Sequence, residues 1–147
     1  MVLNREEIET RVVAELREAG LKVTPQRLAV FRALWGDETH PTAHEIYERL
    51  QDSFPTMSFA TVYNTLDALA AIGRVQPLSV GGGATRFDPN VEPHHHSICD
   101  RCGAVRDVPF DSHQTEGAPT VVSGFRVRRV ERLYRGLCAD CAGAQAH

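Results

Sequence analysis

Two short cysteine motifs constrain the fold of this chain more than any other feature of its sequence. The four cysteines occur as Cys99-x-x-Cys102 and Cys138-x-x-Cys141, and 35 residues (103–137) separate the motifs. Each motif can present two sulfur atoms to one tetrahedral ion, so four thiolates meet only if the fold brings both turns together. Because disulfides are uncommon in cytosolic proteins, the pattern favours a structural zinc site. The alternatives are buried free cysteines and a redox motif, although a redox C-x-x-C normally opens a helix after a strand.

Length, charge and hydropathy limit the class of protein. The 147 residues are 42% hydrophobic and 24% charged, which fits one ordinary domain or two small ones. The formal net charge of −3 excludes a uniformly basic nucleic-acid binder but allows a local basic face. No apolar run approaches the about 18 residues of a membrane span, and no signal peptide is recognisable. We therefore expect a cytoplasmic protein with no membrane partner.

The first half of the sequence predicts four helices followed by a β-hairpin. Apolar residues recur at helical spacing behind four predicted N-caps, and glycines end three of the helices. The N-caps are Asn4, Thr24, Thr42 and Ser58, and the glycines are Gly20, Gly36 and Gly73. A strand pattern formed by Val75 and 78–80 and a returning strand at 85–87 then flank a glycine turn at 81–83. This order is that of a winged helix-turn-helix whose fourth helix is the recognition helix.

The second half has a different composition, rich in His, Cys, Arg and Val. Short strands are predicted around 97–99, 105–108 and 125–133, with a weak helix near 112–122. We predict an α+β protein with a winged-helix DNA-binding domain at 1–83, a hinge at 84–90, and a small α/β dimerisation and metal-binding domain at 91–147.

The start of the fourth helix is a candidate DNA-reading surface, because residues 58–66 carry no charge. Small and hydroxyl side chains can approach the major groove closely, and tyrosine or asparagine can bond phosphates or base edges. The nearest basic stretch has no acidic residue from 22 to 34. The candidate DNA-binding residues are Lys22, Arg27, Ser58, Ala60, Thr61, Tyr63 and Asn64. An ordinary amphipathic helix is the alternative. Because the local charge is modest, we expect a homodimer on double-stranded DNA with an inverted repeat.

Three consecutive histidines precede a short apolar stretch that reads as a strand. In a strand, His94 and His96 share one face and His95 points away. Asp88 lies upstream and Asp107 on the next predicted strand. Imidazoles with carboxylates suit Fe(II), Mn(II) or Zn(II), whereas the thiolate set strongly suits zinc. Two sites of different softness would have different roles. The alternative is a solvated loop. The two further histidines, at 113 and 147, have no evident partners and are expected at the surface.

Six ordered blocks of sequence carry a family resemblance. They read LKVTPQR (21–27), HPTAHEIY (40–47), SFATVYNTL (58–66), RFD (86–88), HHHSICDRCG (94–103) and CADC (138–141). Together they closely resemble the ferric uptake regulator family over nearly the whole chain. The resemblance implies a homodimeric, metal-dependent bacterial repressor with an N-terminal winged helix and a C-terminal dimerisation domain.

The resemblance also implies two kinds of metal site. By the family pattern, the four cysteines hold structural Zn(II). A regulatory Fe(II) or Mn(II) falls on five positions, which are His40, Asp88, His94, His96 and Asp107. Since these positions come from both halves, a bound metal would fix the angle between the halves, and thereby the spacing of the recognition helices on a palindrome.

The residue types at a few matched positions indicate which branch of the family this chain resembles. Aspartates at 88 and 107, and Asn64 after Tyr63, are most similar to the peroxide-responsive branch. In that branch, ligand histidines are oxidised by hydrogen peroxide with Fe(II), and His40 and His94 are the matching positions. The alternative is an iron-uptake, zinc-uptake or manganese-uptake repressor that responds to metal occupancy without oxidation.

Two enzyme classes are weaker alternatives, and we expect no enzyme. A non-haem iron enzyme could use His94, His96 and Asp88 as a facial triad, but no substrate pocket is evident and the helix-turn-helix would be unexplained. A thiol oxidoreductase would need labile thiols. Pro93 and His95 also depart from the extra metal site of iron-uptake members, so that site is not assigned here.

Overall fold

Helices and strands are divided between two compact units, Met1–Val91 and Glu92–His147. The structure is a computed structural model, and it describes residues 3–80, 83–109, 123–127 and 130–145. The predicted hinge, 84–90, lies inside the first unit, where its residues 86–88 form a strand. None of the helices in the described ranges is long and apolar enough to cross a membrane.

Four helices make up most of the first unit, and each begins at its predicted cap. They are α1 (Arg5–Glu18), α2 (Pro25–Leu34), α3 (Ala43–Leu50) and α4 (Phe59–Ala71). The side chains of Asn4, Thr24, Thr42 and Ser58 each accept a hydrogen bond from the backbone amide three residues on. Each of these bonds satisfies an amide that has no partner within its helix, so the local sequence decides where the helices start.

The helices enclose an apolar core. Val12, Val30, Ile46, Val62 and Leu66 are fully buried, one or two from each helix. Leu34, Leu69, Met57, Val75 and Phe87 join the same cluster. The helical spacing of these residues is what places them on one side of each helix.

A short antiparallel hairpin completes the first unit. Strand β1 (Gln76–Leu78) pairs with β2 (Arg86–Asp88), with Gln76 opposite Asp88 and Leu78 opposite Arg86. The strand predicted from Val75 and 78–80 was wrong in its bounds, because the paired residues run from Gln76 to Leu78. The returning strand predicted at 85–87 lies one residue later. Part of the predicted turn, 81–82, lies outside the described residues. On its other side, β2 forms an isolated bridge between Arg86 and Thr42.

The second unit contains a three-stranded sheet in the order β4–β3–β5, followed by a short helix. The strands are β3 (His95–Cys99), β4 (Val105–Val108) and β5 (Leu133–Gly136), and the helix is α5 (Ala139–Gln145). Strand β3 pairs antiparallel with β4 and parallel with β5. Helices in the first unit and a mixed sheet in the second confirm the predicted α+β class.

Predictions for the second half were less accurate. The expected strand at 125–133 was wrong, because residues 125–127 and 130–132 are not in a strand and β5 begins only at Leu133. Strand β5 is defined by its pairing with β3, which sequence pattern alone does not reveal. Helix α5 was not predicted. The predicted helix at 112–122, and the histidines at 113 and 147, lie outside the described residues.

Candidate metal centres and nucleic-acid interface

Parallel pairing of β3 and β5 brings the two cysteine motifs to one edge of the sheet. Cys99 is the last residue of β3 and pairs with Gly136, the last residue of β5. Cys102 follows β3 in a tight turn, and Cys138 follows β5 by two residues. Parallel strands end at the same edge, so each motif leaves the sheet beside the other. The 35 intervening residues, 103–137, thus return the chain to the place where it left.

The distances between the sulfur atoms fit one tetrahedral ion. All four cysteines are free thiols, and their sulfur atoms lie within 4.8 Å of one another. Cys102 Sγ and Cys138 Sγ are 3.8 Å apart. Four sulfurs placed about 2.3 Å from one zinc ion in a tetrahedron are about 3.8 Å apart, whereas a disulfide bond is about 2 Å long. The thiolate set therefore fits zinc.

The pKa values of the thiols also fit a bound metal ion. Backbone amides, first that of Cys102 and then that of Cys138, lower the pKa of the Cys99 thiol to about 6. Hydrogen bonding to neighbouring thiols, first Cys138, and burial raise the pKa of Cys141 to about 12. Sulfur atoms this close cannot all be ionised unless a cation lies among them. A divalent metal would supply that charge.

The second cysteine motif has one feature of a redox motif. Cys138 follows β5 and opens α5, where its carbonyl accepts a hydrogen bond from the Ala142 amide. A C-x-x-C motif that opens a helix after a strand is typical of a redox site. What distinguishes this site is that the two motifs face each other and place all four sulfurs in one cluster. A dithiol that works alone does not require the second pair.

A second set of metal-ligating groups lies on the opposite end of β3. His94, His96 and Asp107, hereafter the His94 cluster, have ligand atoms within 4.8 Å of one another. His94 Nε2 and His96 Nε2 are 2.9 Å apart. Asp107 Oδ1 lies 3.1 Å from His94 Nε2 and 3.6 Å from His96 Nε2. Cross-strand pairing of His96 with Asp107 sets this contact. Two nitrogens bound to one ion at about 2.1 Å and at a right angle are about 3 Å apart.

Backbone contacts orient the histidines as a metal site requires. His94 Nδ1 lies 2.5 Å from the Glu92 carbonyl, to which it can only donate, so Nε2 is the nitrogen with a lone pair. The prediction that His95 points away from its neighbours is confirmed. Its Nδ1 accepts a hydrogen bond from the Arg132 amide, and its ring packs against Tyr134.

The first unit holds two further candidate ligands, His40 and Asp88, hereafter the His40 pair. His40 Nε2 lies 3.3 Å from Asp88 Oδ2, and both side chains are buried. Asp88 is the last residue of β2, and its other oxygen accepts a hydrogen bond from the Asn90 amide. An imidazole and a carboxylate buried together, with a geometry set by backbone contacts, are suited to a metal of intermediate softness.

The candidate recognition helix presents part of the predicted DNA-binding set to solvent. Tyr63 is 47% exposed, and Ala60 and Asn64 are also exposed on α4. The Ser58 and Thr61 side chains bond each other at 3.0 Å, and Ser58 also caps the helix. The first turn of α4 contains no acidic residue, so its positive dipole end is not neutralised there.

The two predicted basic contacts lie at the start of α2. Lys22 is exposed, and Arg27 is half-buried with its guanidinium donating to the Lys22 carbonyl. This bond draws the Arg27 side chain back along its own segment. Nearby, Arg32 forms a two-bond ion pair with Glu9, and Glu9 lies on α1.

Sequence reasoning missed two residues beside these sites. Phe59, the first residue of α4, is 43% exposed and its ring lies 6.3 Å from that of Tyr63. The sequence shows an aromatic residue directly after the N-cap Ser58, but its exposure is seen only in the structure. Arg86 donates from Nη1 to the His40 carbonyl at 3.1 Å. No sequence signal predicts that contact, because 46 residues separate its two partners.

Comparisons with known proteins agree with this architecture. The sequence pattern described as the ferric uptake regulator family matches residues 18–131. A relative from Staphylococcus aureus, the peroxide-responsive repressor PerR, is 39% identical over 130 residues, which are 88% of each chain. PerR from Streptococcus pyogenes, solved in a study of peroxide sensing and gene regulation, is 31% identical with a TM-score of 0.52 and covers 90% of this chain and 92% of its own.

A third protein supports the fold alone. The ferric uptake regulator Fur of Helicobacter pylori has a TM-score of 0.75 over 95% of both chains, at 21% identity. The family pattern matches residues 18–131, which are most of the chain. The S. aureus relative is 39% identical over 88% of the chain, far more than unrelated proteins share. This protein is therefore a transcriptional regulator of the ferric uptake regulator family.

Proposed function

We propose that this protein is a homodimeric, metal-dependent repressor that releases palindromic operator DNA when hydrogen peroxide oxidises its ligand histidines. The observation that carries the proposal is the donor set of the His94 cluster and the His40 pair, in which both carboxylates are aspartates. The resemblance to peroxide-responsive repressors at 39% identity supports the same branch.

The thiolate site has a structural role in this proposal. Cys99, Cys102, Cys138 and Cys141 complete a tetrahedral shell, which leaves no open position for a reactant. Zinc has no redox chemistry of its own, and its four ligands tie β3, β5 and α5 together. This site holds the second unit in shape while another site responds to signals.

The regulatory site requires both sets of nitrogen and oxygen ligands. The His40 pair offers two donors and the His94 cluster three, so neither set alone completes a shell of five or six ligands. We propose that all five bind one Fe(II) or Mn(II) ion. Since the sets belong to different units, a shared ion would couple the arrangement of the units to metal occupancy.

Peroxide sensing follows from the kind of ligand at this site. Bound iron(II) would catalyse the reaction of hydrogen peroxide with a ligand imidazole, which manganese(II) would not do. In the net reaction, the ring of His40 or His94 would gain one oxygen atom from hydrogen peroxide, the other oxygen atom would leave as water, and the iron would be unchanged. An oxidised imidazole is a weaker ligand, so the two units lose their shared support and the DNA-binding geometry is lost.

DNA binding would use the exposed start of α4. Ala60 and Thr61 would contact thymine methyl groups in the major groove, close to Ser58, and Tyr63 and Asn64 would bond base edges or phosphates. Lys22 and Arg27 would contact the phosphate backbone. A dimer places two such helices one turn of DNA apart, which reads an inverted repeat.

Peptide-resolved mass spectrometry tests the proposal directly. The zinc-loaded protein is given Fe(II) without oxygen and then a near-stoichiometric pulse of hydrogen peroxide, with a Mn(II)-loaded control. We expect a mass gain of one oxygen atom on His40 or His94 with iron only. If iron is bound and both histidines remain unmodified, the protein is instead a repressor that responds to metal occupancy.

Asp107→Glu provides a second test with the charge conserved. The extra methylene moves the carboxylate relative to His94 and His96, which Asp107 contacts in the wild type. We expect metal-dependent DNA binding to persist, measured by fluorescence anisotropy, while histidine oxidation falls on the order of tenfold. Unchanged oxidation in this variant would contradict the assigned geometry. Asp140→Glu, in α5, is the control.

A further inference from the structure

His40 has an unusual backbone conformation. Its φ is +55°, and no other non-glycine residue in the described ranges has a positive φ. A side chain with a Cβ atom is strained in this left-handed region, and the following Pro41 restricts the backbone of His40 further. Such a conformation persists only where surrounding contacts hold it.

Three contacts with β2 hold the segment that contains His40. Arg86 Nη1 donates to the His40 carbonyl at 3.1 Å, and the Phe87 amide donates to the Pro41 carbonyl at 2.9 Å. Thr42 forms an antiparallel bridge with Arg86. Pro41 and Thr42 therefore lie beside β2, and the Arg86 side chain binds the preceding residue, His40, where the backbone is strained.

The same strand carries the partner of the His40 imidazole. Arg86 and Asp88 are two residues apart on β2, so their side chains leave the strand on one face. Arg86 binds the His40 carbonyl, and Asp88 lies beside the His40 ring with its Oδ2 at 3.3 Å from Nε2. One residue thus fixes the backbone of the candidate ligand and the other its ring.

We propose that Arg86 is a positioning residue of the regulatory metal site, which holds His40 in its left-handed conformation so that the imidazole is aimed before metal binds. The inference rests on the proposed function only in taking His40 as a metal ligand. Thr42, which pairs with Arg86, is also the N-cap of α3. The position of the ligand is thereby linked to the start of a helix in the helix-turn-helix.

A Mn(II) titration of the zinc-loaded full chain, followed by electron paramagnetic resonance of the free ion, tests the proposal. We expect Arg86→Met to weaken Mn(II) binding on the order of tenfold, as the loss of a residue that orients a metal ligand does at other sites. Arg86→Lys, which keeps a cationic donor, should restore most of the affinity. Arg32→Met, which breaks an exposed ion pair with Glu9, is the matched control and should bind as the wild type.

Hydrogen exchange of the Phe87 amide without regulatory metal supplies a readout independent of binding. This amide bonds to Pro41, so its exchange should be several-fold faster in Arg86→Met and near the wild type in Arg86→Lys. Zinc content should stay unchanged in both variants, which shows that the second unit is intact.

A double-mutant cycle with His40→Ala identifies the route. If Arg86 acts through His40, Arg86→Met should have no further effect on Mn(II) affinity in the His40→Ala background. An undiminished effect there, or wild-type affinity in Arg86→Met alone, overturns the proposal. If His40→Ala itself leaves Mn(II) affinity unchanged, the regulatory site assignment falls and the Arg86 proposal with it. If only Arg86→Met has no effect, the site assignment stands.

Discussion

The two units of this protein have very different interiors. In the first unit, buried apolar side chains from four helices and the hairpin form one cluster that includes Val12, Ile46 and Leu66. Among the described residues of the second unit, Cys99 and Val105 are the buried apolar ones, and the other buried side chains are His94, His95 and His96. All four residues of β5 are exposed. The second unit as described therefore lacks a comparable apolar core.

This difference separates two sources of stability. A helical unit with a continuous core gains free energy by removing apolar surface from water. A small sheet without such a core needs cross-links, a metal or a partner chain. The four cysteines, which lie at both ends of the 103–137 segment, can bind such a metal. The exposed apolar residues on and beside β5 offer a surface for a partner chain.

Removal of one zinc ligand should have the largest effect. Structural zinc contributes on the order of 10 kcal/mol of apparent binding free energy, most of which is folding free energy in a unit with little core. We expect Cys102→Ser to lose zinc and to expose β3 and β4, while α4 keeps its protection because its core lies in the first unit. Zinc analysis and hydrogen-exchange mass spectrometry measure both effects. Protected β3 peptides in the zinc-free variant would refute the comparison.

A core substitution in the first unit should give the opposite pattern. Leu66 is fully buried on α4, and Leu66→Ala removes its contacts and leaves a cavity, at a cost of about 3 kcal/mol. Urea unfolding followed by the fluorescence of Trp35, the single tryptophan, reports this loss. Zinc content should remain at the wild-type level. Zinc loss caused by Leu66→Ala would show that the units do not depend on separate sources of stability.

The exposed apolar side chains of the second unit should matter for dimerisation. Leu133 begins β5 and is 38% exposed. If this face binds a second copy, Leu133→Ser should weaken the dimer by about 1 kcal/mol, or roughly fivefold, measured by analytical ultracentrifugation. Phe59→Ser, which removes a similarly exposed residue from the first unit, is the control and should not change the dimer constant. Equal effects of both variants would contradict the assignment of this face.

A surface ion pair in the first unit should have the smallest effect. Arg74 binds Glu15 through two bonds, and hydrogen bonding to Arg74 is the main reason that the pKa of Glu15 lies below its ordinary value of 4.5. The pair therefore stabilises the folded state above about pH 4.5, and its contribution is lost as the pH falls through the lowered pKa of Glu15. Because both groups are about a third exposed, Glu15→Gln should cost about 0.5 kcal/mol at pH 7 and less at pH 3, where more of the Glu15 carboxylate is protonated. Urea unfolding at the two pH values measures the difference, and an equal cost at both would exclude the ion pair as its cause.

The accuracy of sequence-based prediction also differs between the units. All four N-caps of the first unit occur as predicted, because a cap needs only a side chain and an amide three residues away. In the second unit, β4 and the facing of His94 and His96 were also predicted, since alternation along a strand is local. The strand expected at 125–133 was wrong, and α5 was missed.

The sequence by itself therefore determined the helix starts, the ligand types and the face on which the histidines lie. Each of these depends on residues only a few positions apart, where backbone geometry leaves few choices. Only the tertiary structure decided that β5 lies parallel to β3, with Gly136 beside Cys99, and that Arg86 binds the His40 carbonyl. Contacts between residues so distant in the chain depend on which of many pairings the whole fold stabilises, and no local pattern contains that information.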